Sequence, residues 1–242
     1  MRAPALALAV LMLPSPQSLI AQQIHTDSTI TRRPRRAIVG WAEAASVMVI
    51  AGVAFSADQT LRNRLHDPHD RLGRTLSDLG NGLGDGAVVY PTLFAITMGG
   101  KVLRKPGMQR AGFRALESTL LAGAAALAMK SVIGRQRPDL SGSNAYVFQP
   151  FRIHDISFPS GHTAVAFALA TSLARETEDK WSDAAFFAAA SLTAYSRMHD
   201  DKHWASDVIL GAGIGILSAR FVHRFGAKVA VAPNGLGMSL TF

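Results

Sequence analysis

The chain has 242 residues, no cysteine, 25 Lys and Arg against 17 Asp and Glu, and a formal net charge of +8. The missing cysteines exclude disulfides, thiolate metal sites and cysteine nucleophiles, and the few aromatics, with no basic stripe or zinc-finger spacing, argue against nucleic acid as the partner of the positive charge. At 48% apolar and 17% charged residues, with a mean hydropathy of +0.17, the composition lies between a soluble helical domain and a small membrane protein, leaving anionic lipid or an anionic substrate as the match for the cations.

Residues 1–21 carry Arg2, an apolar stretch from Ala3 to Leu13, Pro14, Pro16 and Ala21. They read as a secretory signal peptide, with an uncleaved anchor as the alternative. Residues 22–37 form a polar lead-in ending in Arg32-Arg33-Pro34-Arg35-Arg36, suited to a solvated linker or to anionic headgroups. A helical body is expected over 38–226. Ile38 to Ser56 is apolar but carries Glu43, and Asp58 to Leu79 spaces Leu61, Leu65, Leu72, Leu76 and Leu79 as an amphipathic helix does. His66 and His69, with no third ligand in view, read as surface residues. Gly80, Gly82, Gly84 and Asp85 read as a turn. A short apolar helix over 86–100, a basic turn over 101–110 and a long helix over about 111–133 follow, with further helices over 162–174, 183–195 and 207–225. Polar residues gather in two loops, 135–161 and 196–206. Residues 227–242, around Pro233-Asn234-Gly235, carry a hairpin signal. The expected architecture is all-α, a single bundle of about six helices with a short C-terminal β-hairpin.

The chemistry lies in and beside the two loops. Lys130 and Arg137 are two helical turns apart and are expected on one face, with Pro138 ending the helix. Ser160 is placed to cap a helix whose free N–H groups near Gly161 suit an anion, with His162 in the first turn. Arg197 precedes His203, and His203 stands four residues before Asp207, a spacing at which a carboxylate can accept the Nδ1 proton and leave the other ring nitrogen free to attack.

Together Lys130 to Pro138, Pro159 to His162 and Ser196 to Asp207 fill every defining position of a tripartite signature, Lys-x6-Arg-Pro, Pro-Ser-Gly-His and Ser-Arg-x5-His-x3-Asp. The chain therefore resembles the phosphatidic acid phosphatase type 2 (PAP2) superfamily, which includes bacterial acid phosphatases, lipid phosphate phosphatases and vanadium haloperoxidases. The resemblance implies His203 as nucleophile, Asp207 as its partner and His162 as general acid and base, with Lys130, Arg137, Ser160, Gly161 and Arg197 holding the phosphate. It implies no metal and no cofactor, with vanadate binding as a phosphate mimic. The implied activity is hydrolysis of phosphomonoesters or pyrophosphates, with lipid phosphates as the leading substrates. A soluble periplasmic acid phosphatase, a haloperoxidase and a non-catalytic lipid-phosphate binder are the alternatives. Where the family often has small or apolar residues after the Ser-Arg pair, Met198-His199-Asp200-Asp201-Lys202 stands here. His199 is expected to be a solvated loop residue, and Asp200 and Asp201 either repel the substrate or restrain neighbouring arginines.

Location is divided. The runs 86–100, 184–195 and 207–219 are short for a span, and Glu43, Glu117 and Arg220 interrupt others. Yet 101–110 and 220–228 are basic at the end opposite the catalytic loops, as the positive-inside rule requires. A membrane-associated protein of the cell envelope with its site on the exported, periplasmic side is the favoured reading. Six spans with an outward site would place Arg32–Arg36 inside, which a cleaved signal peptide forbids.

Overall fold

The computed structural model describes residues 41–65, 70–142, 144–152, 154–177, 179–226, 228–232 and 235–239. The signal-peptide and lead-in readings, and the pair His66 and His69, lie outside the described residues. The described chain is an all-α bundle: α1 (Trp41–Leu65), α2 (Arg71–Gly84), α3 (Gly86–Val102), α4 (Pro106–Ile133), a single-turn α5 (Pro138–Ser141), α6 (Gly161–Ala174), α7 (Lys180–His199) and α8 (Ala205–Phe225). Strands β1 (Lys228–Ala232) and β2 (Gly235–Ser239) pair antiparallel after it, Lys228 opposite Ser239.

Local chemistry sets the boundaries. Asp70 caps α2 through Leu72 N–H at 3.0 Å, and Asp85 ends α2 and caps α3 through Ala87 N–H at 2.9 Å. The expected glycine turn at 80–85 is therefore helix up to Gly84. The glycines serve contact rather than turning, since a Cβ on Gly80 would lie 2.4 Å from the Leu192 carbonyl oxygen on α7. Pro106 at the first position starts α4 inside the expected basic turn. Asp179 caps α7 three residues ahead of expectation, and α7 runs on through Ser196 and Arg197 to His199, so these are helix residues and not loop.

Helix α6 sits centrally, packed against α4, α7 and α8. Much of this core is small: Ala122 and Ala126 of α4 meet Ala164 and Ala168 of α6, with Ile214 of α8 alongside. Small residues let helix backbones approach closely, the packing favoured where lipid rather than water surrounds the bundle. The outside agrees. Met48, Val49, Ile50 and Val53 on α1, Phe94 on α3 and Leu127 on α4 are exposed. Helix α2 buries Gly73, Ser77, Gly80 and Gly84 and turns Leu72, Leu79 and Leu83 outward, the reverse of a water-facing amphipathic helix.

The short apolar runs of the sequence understate the helices that carry them. Ala42–Leu65, Pro106–Ile133 and Ala205–Phe225, at 24, 28 and 21 residues, are long and apolar enough to cross a membrane. Two of the interrupting charges also pair with each other, Arg220 of α8 bonding Glu43 of α1.

Candidate active site

The three motif fragments meet at one end of the bundle. Helix α4 stops at Ile133 because Gly134 takes the left-handed conformation (φ 63°) and returns its N–H to the Lys130 carbonyl. Only glycine fits there, since a Cβ would lie 1.8 Å from the Gln149 carbonyl oxygen. Arg137 is thus not on the helix face of Lys130. It is the extended residue preceding α5, and Pro138 opens that short helix rather than closing the long one. The intervening loop is tied down by Gln149 N–H to Gly134 O (2.7 Å), Ser157 N–H to Arg135 O (2.7 Å) and Trp204 Nε1 to Gln136 O (3.1 Å).

Ser160 is the N-cap of α6, its hydroxyl 3.4 Å from Thr163 N and 2.9 Å from Thr163 Oγ1. Its own N–H bonds the Asp207 carbonyl at 2.9 Å, joining the second fragment to the third. Gly161 opens the helix, and a Cβ there would meet no atom within 4 Å. Packing therefore does not require this glycine, and the space beside its backbone is open to a ligand.

Helix α8 begins at Ala205, so His203 lies just outside it and meets Asp207 across the helix N-terminus rather than along one helical face. His203 Nδ1 stands 3.6 Å from Asp207 Oδ2, just longer than a hydrogen bond. That same oxygen accepts Trp204 N–H at 2.9 Å. His203 is only 4% exposed. Burial pushes its pKa down to about 3, opposed by Asp207 and reinforced by the charges of Lys130 and Arg197. His162 is held down at about 4, first by burial and then by Arg197, Lys130 and Arg137, with Asp85 opposing. Both imidazoles are therefore neutral at pH 7, and all three cations reach His162.

The cations are held unequally. Lys130 Nζ donates to the Ile156 carbonyl at 3.1 Å. Arg197 Nη1 donates to Asn81 Oδ1 at 2.5 Å, while Asn81 Nδ2 and the Ser77 hydroxyl donate to Asp200 at 2.7 and 2.6 Å. Among the described residues, the Nε atoms of both Arg137 and Arg197 are buried without a hydrogen-bond partner. Buried donors left open beside clustered positive charge are what an anion would satisfy. Asp200 thus restrains an arginine through Asn81, and Asp201 pairs with Arg62 at 2.6 Å. His199 is buried at the end of α7 beside Asp200 (Nδ1 to Oδ1 3.2 Å), which corrects its expected place in a solvated loop.

Two residues that sequence reasoning did not single out anchor the site. Arg135 is fully buried and donates to Asp207 Oδ1 (2.7 Å), Asp58 Oδ2 (2.7 Å), Ser206 Oγ (2.8 Å) and the Ala145 carbonyl, with Phe55 and Trp204 against its guanidinium. The available signal was Asp58 itself, a carboxylate closing an apolar run in a stretch otherwise fit for lipid.

The PAP2 superfamily model matches residues 111–230. Similar curated proteins are named lipid A 1-phosphatase. The one from Porphyromonas gingivalis is 37% identical over 123 residues, half of this chain but only a quarter of that protein. Those from Rhizobium johnstonii and Rhizobium etli are each 30% identical over 66% and 67% of this chain, covering 72% and 77% of their own lengths. Among solved structures, Aquifex aeolicus LpxE (24% identity, TM-score 0.54) is matched over 69% of this chain and 95% of that one. The first transmembrane PAP2 type phosphatidylglycerolphosphate phosphatase from Bacillus subtilis (19% identity, TM-score 0.54) is matched over 75% and 94%. These two share the fold.

Proposed function

Because the chain belongs to the PAP2 superfamily and is a phosphoric ester hydrolase of that type, we propose that it removes phosphate from a membrane lipid through a phosphohistidine at His203. The observation that carries this reading is the meeting of Lys130, Arg137 and Arg197, two of them with open buried donors, at the N-terminus of α6 beside a neutral His203. With Nδ1 turned to Asp207, the Nε2 lone pair of His203 attacks phosphorus as the bond to the leaving oxygen breaks, and His162 gives that oxygen its proton. Water then attacks the phosphohistidine, His162 takes the proton, and inorganic phosphate leaves with His203 neutral again. The three cations, the Ser160 hydroxyl and the Gly161 N–H hold the equatorial oxygens, supplying fixed charge where other phosphotransferases use magnesium.

The apolar exterior, the outward leucines of α2 and the names of the relatives support a lipid substrate. We infer a glycolipid or glycerolipid phosphate, with the 1-phosphate of lipid A first. The basic segments 101–110 and 220–226 lie at the ends of α3, α4 and α8 away from the site, which by the positive-inside rule supports a site on the exported face. The deciding experiment measures phosphate release in EDTA from lipid A, phosphatidylglycerolphosphate and para-nitrophenyl phosphate. Turnover of a lipid phosphate well above that of the soluble ester is expected. Equal turnover of all three would remove the lipid assignment.

The depressed histidines fix the pH behaviour. His203 must be neutral to attack and is so above about pH 3, which places the acid limb of the rate near there. His162 must be protonated to donate, and in the phosphate-free site it is so only below about pH 4. A bound phosphate offsets the cations that hold it down, so its pKa should climb by about one unit or more. Histidine-resolved NMR with and without orthovanadate should show this, and the alkaline limb of kcat should lie above that of kcat/KM. A His162 signal indifferent to vanadate would remove it from the phosphate's side.

Gly161→Ala separates function from packing. The new methyl meets no protein atom, and alanine in a helix loses less conformational entropy than glycine, so stability should hold or rise by about 0.5 kcal/mol. Activity should fall about tenfold or more because the methyl stands where the phosphate oxygens approach. Unchanged kcat/KM would place the phosphate elsewhere.

A further inference from the structure

Helix α8 carries Asp207 in its first turn, yet its N-cap is Trp204, a residue with no side-chain oxygen to accept the N–H groups that a helix start leaves open. The missing acceptor comes from α1. Asp58, 1% exposed, accepts Ser206 N–H at 2.9 Å on one oxygen, and the Ser206 hydroxyl (2.6 Å) and Arg135 Nη2 (2.7 Å) on the other. A residue 148 positions away in sequence thus caps the helix that positions the partner of His203.

The charges in this cluster are counted as closely as the bonds. Arg135 contributes one positive charge and lies between two carboxylates, Asp58 and Asp207, all three side chains fully enclosed. Asp58 balances Arg135, and the charge of Asp207 is left for His203, whose ring becomes cationic once phosphorus is attached. Without the Asp58 charge, Arg135 would be matched by Asp207 alone, and the imidazole would lose the support of a committed anion.

We propose that Asp58 is a positioning residue for phosphoryl transfer, acting through Arg135 and Ser206 to keep Asp207 charged and aimed at His203. This rests on the reading of His203 as the nucleophile. Asp58 does not touch the phosphate, so its effect should fall on kcat and not on KM.

The test is a double-mutant cycle in the full-length protein, assayed by phosphate release and by single-turnover quench with labelled lipid phosphate. Asp58→Asn should lower kcat by about 10- to 100-fold, the cost seen when a group that orients a site residue is removed, and leave KM within about threefold. In an Asp207→Asn background the same substitution should cost about threefold or less, because the residue it acts through has already lost its charge. A loss of equal size in both backgrounds, a change in KM without one in kcat, or an unchanged kcat would overturn the proposal. Should Asp58→Asn fail to fold, Ser206→Ala, which removes the hydroxyl bridging Asp58 and Arg135 but keeps the backbone bond, is read by the same cycle and criteria. If His203→Ala is as active as wild type, the nucleophile assignment falls and this inference with it. If His203→Ala is inactive while Asp58→Asn keeps its kcat, only the role of Asp58 falls.

Discussion

Replacing His203 with alanine should lower phosphate release by about 10⁴-fold or more, the scale on which removal of a nucleophile acts in a preorganised site. The substitution deletes a buried, neutral imidazole whose Nδ1 stands 3.6 Å from Asp207, beyond hydrogen-bond length, so no strong bond is lost and the protein should remain folded while its chemistry stops. A residual rate above that in water should survive if the three cations and the N-terminus of α6 hold the phosphate as proposed, since their charge stabilisation does not depend on the nucleophile. The complementary result comes from His162→Ala. Attack is slowed because the leaving oxygen is no longer protonated, and hydrolysis is slowed more because water is no longer activated. Labelled phosphate should therefore accumulate on the protein in a form stable to base and labile to acid, and the dephosphorylated lipid should appear in a burst while inorganic phosphate is released slowly without one. Rapid quench with a labelled lipid phosphate checks both variants. His203→Ala activity within about tenfold of wild type would end the phosphohistidine mechanism.

How much of this could be read before the fold was known depended on how local each interaction is. Ser160 as a helix cap needs only its neighbours, and the pairing of His203 with Asp207 needs only a short spacing, so both were legible. The supposed common face of Lys130 and Arg137 was a local inference that failed, because a single left-handed glycine at 134 turns the chain and a loop must bring Arg137 back. Arg197 was assigned to a loop because α7 becomes polar in its last turns, where cations suit the C-terminal end of a helix dipole. The glycines of α2 resembled a turn because sequence does not show that α7 lies against them. Least legible was the link between Arg135 and Asp58, separated by 77 positions. A buried charge signals that it has a partner, but only the packing of α1 on α8 shows which one.

Arg135 and Arg137, two residues apart, should behave in opposite ways. Arg135→Ala leaves Asp58 and Asp207 enclosed with no cation between them, and removing one partner of a fully buried ion cluster costs about 3–5 kcal/mol. Melting in detergent should therefore drop sharply, and activity should vanish with the geometry of Asp207. Adding Asp58→Asn to Arg135→Ala removes one stranded charge and should recover part of the lost stability but none of the activity. Arg137, by contrast, is half-buried, has a partnerless Nε and adds its positive charge to those of Lys130 and Arg197 around His162. Taking it away relieves repulsion in the free protein, so Arg137→Ala should leave stability within about 0.5 kcal/mol of wild type or raise it. Its activity should still fall by about 10²-fold, as expected when one donor to the transferring phosphoryl group is lost. Paired thermal melts and kcat/KM measurements on the two variants decide the assignment. Equal destabilisation by both would mean that Arg137 is structural, and equal stability would mean that the buried cluster does not hold α8 in place.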